Sequence, residues 1–148
     1  MADASDNYRI LLPVDGRTDR AKRGAQAVTE LPGETSALDV VILNVFEEFS
    51  GTDEGAVVES SDLFDEDNFP KSVTVAAEIL EEAGATVECR REHGDPAETI
   101  LSVADDIDAN CLVMVGRQRS PTGKVLFGSV VQSVILESDR PVLTSFPD

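Results

Sequence analysis

Gly116, Arg117, Gln118, Arg119, Ser120, Thr122, Gly123, Lys124, Gly128 and Ser129 are packed into fourteen residues near the carboxyl end of the chain. Guanidinium and ammonium groups, hydroxyls and glycines ahead of a helix start make an anion site: the side chains supply charge, and the helix start supplies free N–H groups. The wider window from Ala109 to Leu136 spans 28 residues without one Asp or Glu. The chain carries 29 acids in 148 residues, so a window of that length should hold about five or six. A protein of formal net charge −17 repels anions from most of its surface. This segment is the place to receive one, with phosphate or polyphosphate the chemistry that fits. Part of the gap is burial, because Cys111 to Val115 and the following helix read as core. Gly116 to Lys124 reads as surface loop, and burial does not account for its composition.

The elements around this loop follow from hydrophobic patterning. Tyr8 to Val14 reads as a buried strand stopped by the Asp15-Gly16 turn. Thr18 or Asp19 is positioned to cap a helix to Leu31 whose inner face is Ala21, Gly24, Ala25 and Val28, all small enough for close packing on a sheet. Leu38 to Phe46, broken only by Asp39 and Asn44, has the pattern of a parallel strand covered on both faces. Glu47 to Asn68 holds nine acids and no base and reads as a solvated acidic loop without the ligand spacing of a calcium site. Val73, Ala76, Ala77, Leu80 and Ala83 keep helical spacing up to Gly84.

Thr86 to Arg91 alternates like an edge strand. Asp95-Pro96-Ala97-Glu98 has the form of a capping box with proline at the first helical position, ahead of a face of Ala97, Ile100, Leu101 and Ala104. Cys111 to Val115 is a fourth strand. Ser129 and Gln132 form a further capping pattern, ahead of a helix burying Val130, Val134 and Ile135 or their neighbours. Val142 to Phe146 makes a fifth strand. Strict β/α alternation predicts a three-layer, doubly wound α/β domain with a five-stranded parallel sheet in the order 3-2-1-4-5, of Rossmann-like type. One domain over 1–148 is expected, with 1–7 an acidic tail and 47–68 an acidic insertion. In that order strands one and four are neighbours at the point where the sheet reverses. The crevice between Pro13-Val14-Asp15 and the Gly116–Ser129 loop is then the expected ligand site.

Other chemistries lack their residues. The loop ends in Gly123-Lys124, but its glycine spacing and Val125 break the P-loop pattern, and no G-x-G-x-x-G follows the first strand. The acidic cluster and the lysine that a response-regulator receiver needs are missing. Cys89, Cys111 and the lone His93 make no metal set and read as reduced thiols and a surface imidazole. No Ser/His/Asp or paired-carboxylate arrangement is present, so catalysis is not expected, slow ATP hydrolysis aside. Net charge −17 with three lysines against nine arginines suits a protein adapted to high salt. It also disfavours nucleic acid and anionic membranes as partners. The polar start and the lack of a long apolar run predict a cytoplasmic protein.

From Tyr8 to Phe146 the chain resembles the universal stress protein family. The resemblance rests on Ile10-Leu11-Leu12-Pro13-Val14-Asp15-Gly16, on Gly94-Asp95-Pro96, and on the loop from Val115-Gly116 to Gly128-Ser129-Val130. It implies the adenine-nucleotide α-hydrolase-like variant of the fold and a cytoplasmic stress-response role. It also implies ATP as ligand, with Mg²⁺ carried by the phosphates, and a homodimer built through the last strand, Val142–Phe146. By the same resemblance Pro13, Val14 and Val45 wall the base and Asp15 meets adenine and ribose. Val115, Gly116, Gln118, Arg119, Gly128, Ser129, Val130 and Val131 surround ribose and phosphates. The family's nucleotide loop is G-x2-G-x9-G-[S/T]. Here Arg119 replaces the second glycine, and eight residues rather than nine separate it from Gly128. Arg119 then either obstructs phosphates or gives them a charged contact. The alternative reading is a regulatory dimer of the same fold that binds no nucleotide.

Overall fold

Alternate residues along each central strand go to different layers of the protein, and this builds the architecture. The computed structural model describes residues 7–46, 69–116 and 128–147. Within them lie β1 (Tyr8–Pro13), α1 (Thr18–Thr29), β2 (Leu38–Phe46), α2 (Lys71–Glu82), β3 (Thr86–His93), α3 (Pro96–Asp106), β4 (Cys111–Val115), α4 (Ser129–Glu137) and β5 (Val142–Ser145). A 3₁₀ turn, Thr35–Ala37, leads into β2. The strands form one sheet in the order β3-β2-β1-β4-β5, all parallel. This is the expected doubly wound α/β order.

Ile10 and Leu12 of β1, Val40 and Ile42 of β2, and Val113 of β4 face one layer. There they meet Ala21, Ala25 and Val28 of α1 and Val73, Ala76 and Leu80 of α2. Leu11, Val41, Leu43, Leu112 and Met114 face the other, against Ile100, Val103 and Ala104 of α3 and Val131 and Val134 of α4. Burial on both faces explains why β2 and β4 read as continuous apolar runs.

Several boundaries differ from the sequence reading. β1 stops at Pro13, although Val14 N–H still donates to Leu43 O at 2.8 Å. β3 runs two residues further, to His93, because β2 continues to pair with it up to Phe46. β5 stops at Ser145, so Phe146 lies outside it. Neither Thr18 nor Asp19 caps α1. Arg17 is the cap residue and its N–H donates to Asp15 Oδ1 at 2.9 Å, so the turn is held from upstream. Ser129 does not cap α4 either. Gly128 holds the cap position in extended conformation, with no side-chain cap bond, and Ser129 is the first helical residue. The buried face of α4 is accordingly Val131 and Val134, with Val130 half-buried and Ile135 exposed.

The α2 and α3 ends follow expectation more closely. Ala85 N–H donates to Leu80 O and Gly84 N–H to Glu81 O. This is a Schellman close that needs the left-handed φ of +101° at Gly84. Asp95 caps α3 by accepting from Glu98 N–H at 3.0 Å. On α3 Val103 is buried where Leu101 was expected; Leu101 is half-buried. Cys89 and Cys111 are free thiols, and burial pushes both above the ordinary thiol range. The expected acidic tail and the 47–68 insertion lie outside the described residues.

Candidate functional site

At the carboxyl ends of β1, β2 and β4, where the sheet order reverses, the surface opens into a cleft of about 310 Å³. Each wall comes from a different element. Pro13, Val14 and Asp15 follow β1; Leu43 and Val45 end β2; Met114 and Val115 end β4. Arg20 and Ala21 come from α1, Pro96 and Ile100 from α3, and Gly128, Ser129, Val130 and Val131 from the cap and first turn of α4. Nine of the twelve sequence-derived candidates therefore share one cleft: Pro13, Val14, Asp15, Val45, Val115, Gly128, Ser129, Val130 and Val131. Gly116 is not on its wall. It is buried at the end of β4, and its N–H donates to Ser145 O at 2.8 Å. Gln118 and Arg119 lie outside the described residues.

The chemistry of this wall has two parts. Most of it is aliphatic, suited to a flat apolar or aromatic group. At one side stands the N-terminus of α4. Gln132 N–H is the first to find an intrahelical acceptor, Gly128 O at 3.1 Å. The N–H groups of Ser129, Val130 and Val131 precede it, and among the described residues no side chain caps them. Among the described lining residues the charged side chains are Asp15 and Arg20, and they pair at 2.8 Å. The described part of the wall is thus locally neutral in a chain of net charge −17.

The loop after β1 is fixed by two buried polar side chains that sequence reasoning did not assign to the site. Asn44, 7% exposed, donates from Nδ2 to Val14 O at 3.0 Å. Ser72, 1% exposed, donates from Oγ to Asp15 O at 2.6 Å. A polar residue inside the apolar β2 run was the available signal for Asn44, since buried amides are kept where they have a partner. Ser72 gave no local signal, because its acceptor lies 57 residues away in sequence. Replacing Asn44 by Val leaves the Val14 carbonyl without its donor. Unfolding free energy is expected to drop by about 1–3 kcal/mol, measured by urea denaturation at constant salt. A change below about 0.5 kcal/mol would mean that water replaces the amide.

The model of the Universal stress protein family matches residues 7–145. The chain belongs to the universal stress protein family. A universal stress protein of Mycolicibacterium smegmatis is 42% identical over 69 residues, 46% of this chain and 53% of that protein. The chain spans about half the length of the curated relatives that reach 35% identity or more. Among solved structures, a universal stress protein from Archaeoglobus fulgidus aligns with a TM-score of 0.68 at 28% identity, covering 93% of this chain and 97% of that one. The Archaeoglobus fulgidus universal stress protein in complex with dAMP aligns at 0.63 and 22% identity, covering 94% and 98%. Within the family frame, the β1 loop and the α4 cap of this chain are the two ends of one cleft. Arg20, Ala21, Leu43, Pro96, Ile100 and Met114 extend its wall beyond the motif residues.

Proposed function

We propose that the protein is a small stress-response module that binds an adenine nucleotide, ATP foremost, in the β1/β4 cleft. One observation carries this reading: an aliphatic cleft ends at a helix N-terminus that no side chain of the described residues caps, in a chain otherwise hostile to anions. The base lies against Val14, Leu43 and Val45, and the phosphates meet the N–H groups of Ser129, Val130 and Val131. The dAMP-bound relative of the same fold supports adenine as the base. Mg²⁺ travels with the phosphates. Asp15, the titratable acid on the described wall, already accepts from Arg17 N–H and Arg20, so no unpaired base is poised on that described wall, and in this reading turnover is slow or absent.

The working form in this reading is a homodimer through β5. That strand is a sheet edge and exposes Leu143 (36%), and α4 separately exposes Ile135 (39%) and Leu136 (83%). A salt-rich cytoplasm suits its acidity. Among the described residues no helix is long and apolar enough to cross a membrane.

The test is to purify the protein from its host in high-salt buffer, denature it and assay the released small molecules, with the native mass measured on the same sample. Adenine nucleotide near one per chain and a dimer mass are expected. An empty protein that shows no thermal shift with Mg-ATP would replace this reading by the nucleotide-free interaction dimer.

A further inference from the structure

Arg20 occupies an unusual place. It sits in the first turns of α1, lines the cleft, and its side chain is only 26% exposed. Its Nη1 donates to Asp15 Oδ2 at 2.8 Å. A guanidinium carries five N–H donors in a fixed fork, and among the described residues this is the one side-chain hydrogen bond that Arg20 makes. Asp15 is held from three directions: Oδ1 by Arg17 N–H at 2.9 Å, Oδ2 by Arg20, and its main-chain oxygen by Ser72 Oγ at 2.6 Å. A carboxylate has about four acceptor positions, so Asp15 keeps acceptor capacity after these bonds.

Resting on the nucleotide reading above, we propose that Arg20 is a ligand-contacting, specificity-determining residue. With Asp15 it makes the α1 side of the cleft a neutral donor–acceptor pair for an uncharged group, the base edge or sugar hydroxyls of a nucleoside. The discrimination is electrostatic. Asp15 alone would repel phosphate from this side, and Arg20 alone would attract it. Paired at 2.8 Å they cancel at longer range while each still offers a hydrogen-bonding direction. A ligand part with both donors and acceptors satisfies the pair, and a fully ionised phosphate gains little from it.

The anion is then directed to the other flank. α1 packs with α2 on one face of the sheet, and α4 packs with α3 on the opposite face. The cleft joins the two over the strand ends. Arg20 and the α4 N-terminus thus reach the ligand from opposite layers, and the ligand's orientation is set by what each can accept.

Titration calorimetry of the full chain in high salt tests this, with adenosine and AMP as probes on wild type, Arg20→Ala and Arg20→Gln. Arg20→Ala is expected to weaken adenosine and AMP by the same factor, about tenfold. The ratio of AMP to adenosine affinity stays constant, and Arg20→Gln, which keeps an N–H donor, recovers part of the loss. A purely structural role would lower the melting temperature and leave adenosine affinity of the folded protein unchanged, which overturns the proposal. Weakening of AMP alone also overturns it, because Arg20 would then be a phosphate ligand. If wild type binds neither probe, the nucleotide reading itself fails, and the proposal falls with it.

Discussion

Gly128→Asp is expected to raise the melting temperature and to abolish nucleotide binding, two changes of opposite benefit from one carboxylate. Gly128 has φ −71° and ψ 166° at the cap of α4, an extended conformation that aspartate adopts without strain. Aspartate is among the best cap residues, and its side chain accepts from the second or third N–H of the helix. Here those belong to Val130 and Val131. The gain over glycine is a few tenths of a kcal/mol from the cap and about 0.3–1 kcal/mol from the helix dipole. For a chain of this size that is an increase of about 2–4 °C.

The same carboxylate occupies the donors assigned to phosphate and places negative charge beside it. Two like charges about 4 Å apart repel by about 4 kcal/mol at an effective dielectric of 20. Affinity for Mg-ATP should fall at least about 100-fold, equivalent to about 2.7 kcal/mol. Gly128→Ser caps without charge and should cost less than about tenfold. Calorimetry and thermal unfolding at matched salt read both effects. An unchanged affinity in Gly128→Asp would remove the α4 N-terminus from the binding site.

That prediction depends on a detail the sequence obscured. Ser129 and Gln132 fit a capping box, yet the helix begins one residue earlier with glycine at the cap. The cap position thus falls to a residue with no side chain to offer the first N–H groups. Packing on the sheet buries Val131 rather than Ile135 beside Val134, and with glycine at the cap the cleft-facing N–H groups have no side-chain acceptor among the described residues. The frame itself was legible. β2 and β4 declared themselves as apolar runs because both of their faces are covered, and the small residues of α1 marked its sheet-facing side. Asp15 and Gly128 could be placed on one crevice from strand order alone.

The residues that shape the cleft through distant partners were not legible. Asn44 and Ser72 bond carbonyls 30 and 57 positions away, separations at which no local pattern operates. Arg20, on an acidic protein's first helix, has the sequence appearance of an ordinary solvated cation. Its proximity to Asp15 follows only from how the α1 turn is wound. The anion segment after Gly116 contributes its composition, and Gln118 and Arg119 stand outside the described residues.

Gly24 links core and cleft mechanically, and a graded series there should separate tolerance from disruption. A Cβ at position 24 would stand 2.9 Å from Leu12 Cδ1 and 3.2 Å from Val115 Cγ2. Leu12 is fully buried, and Val115 forms part of the cleft wall. Gly24→Ala gains about 1 kcal/mol of helix propensity and loses a comparable amount by displacing a leucine methyl a few tenths of an ångström. Its net effect on stability should be within about 1 kcal/mol of zero. Gly24→Leu has no such escape, because three further carbons must enter a layer already filled by β1 and β4. Overpacking of this kind costs about 1–3 kcal/mol, and the relief available is for α1 to lift from the sheet.

That movement would carry Arg20 and Ala21, one turn upstream on the same helix, away from Val14 and Val115. Gly24→Leu should therefore lower both the melting temperature and Mg-ATP affinity, the latter measured at a temperature where the variant remains folded. Gly24→Ala should leave affinity near wild type. If Gly24→Leu kept full affinity while losing stability, the cleft would be insulated from the packing of α1. A Gly24→Leu protein as stable as wild type would mean that α1 does not press on Leu12 and Val115 at all. Close approach at one small residue is thus what ties the depth of the cleft to the α1–sheet spacing.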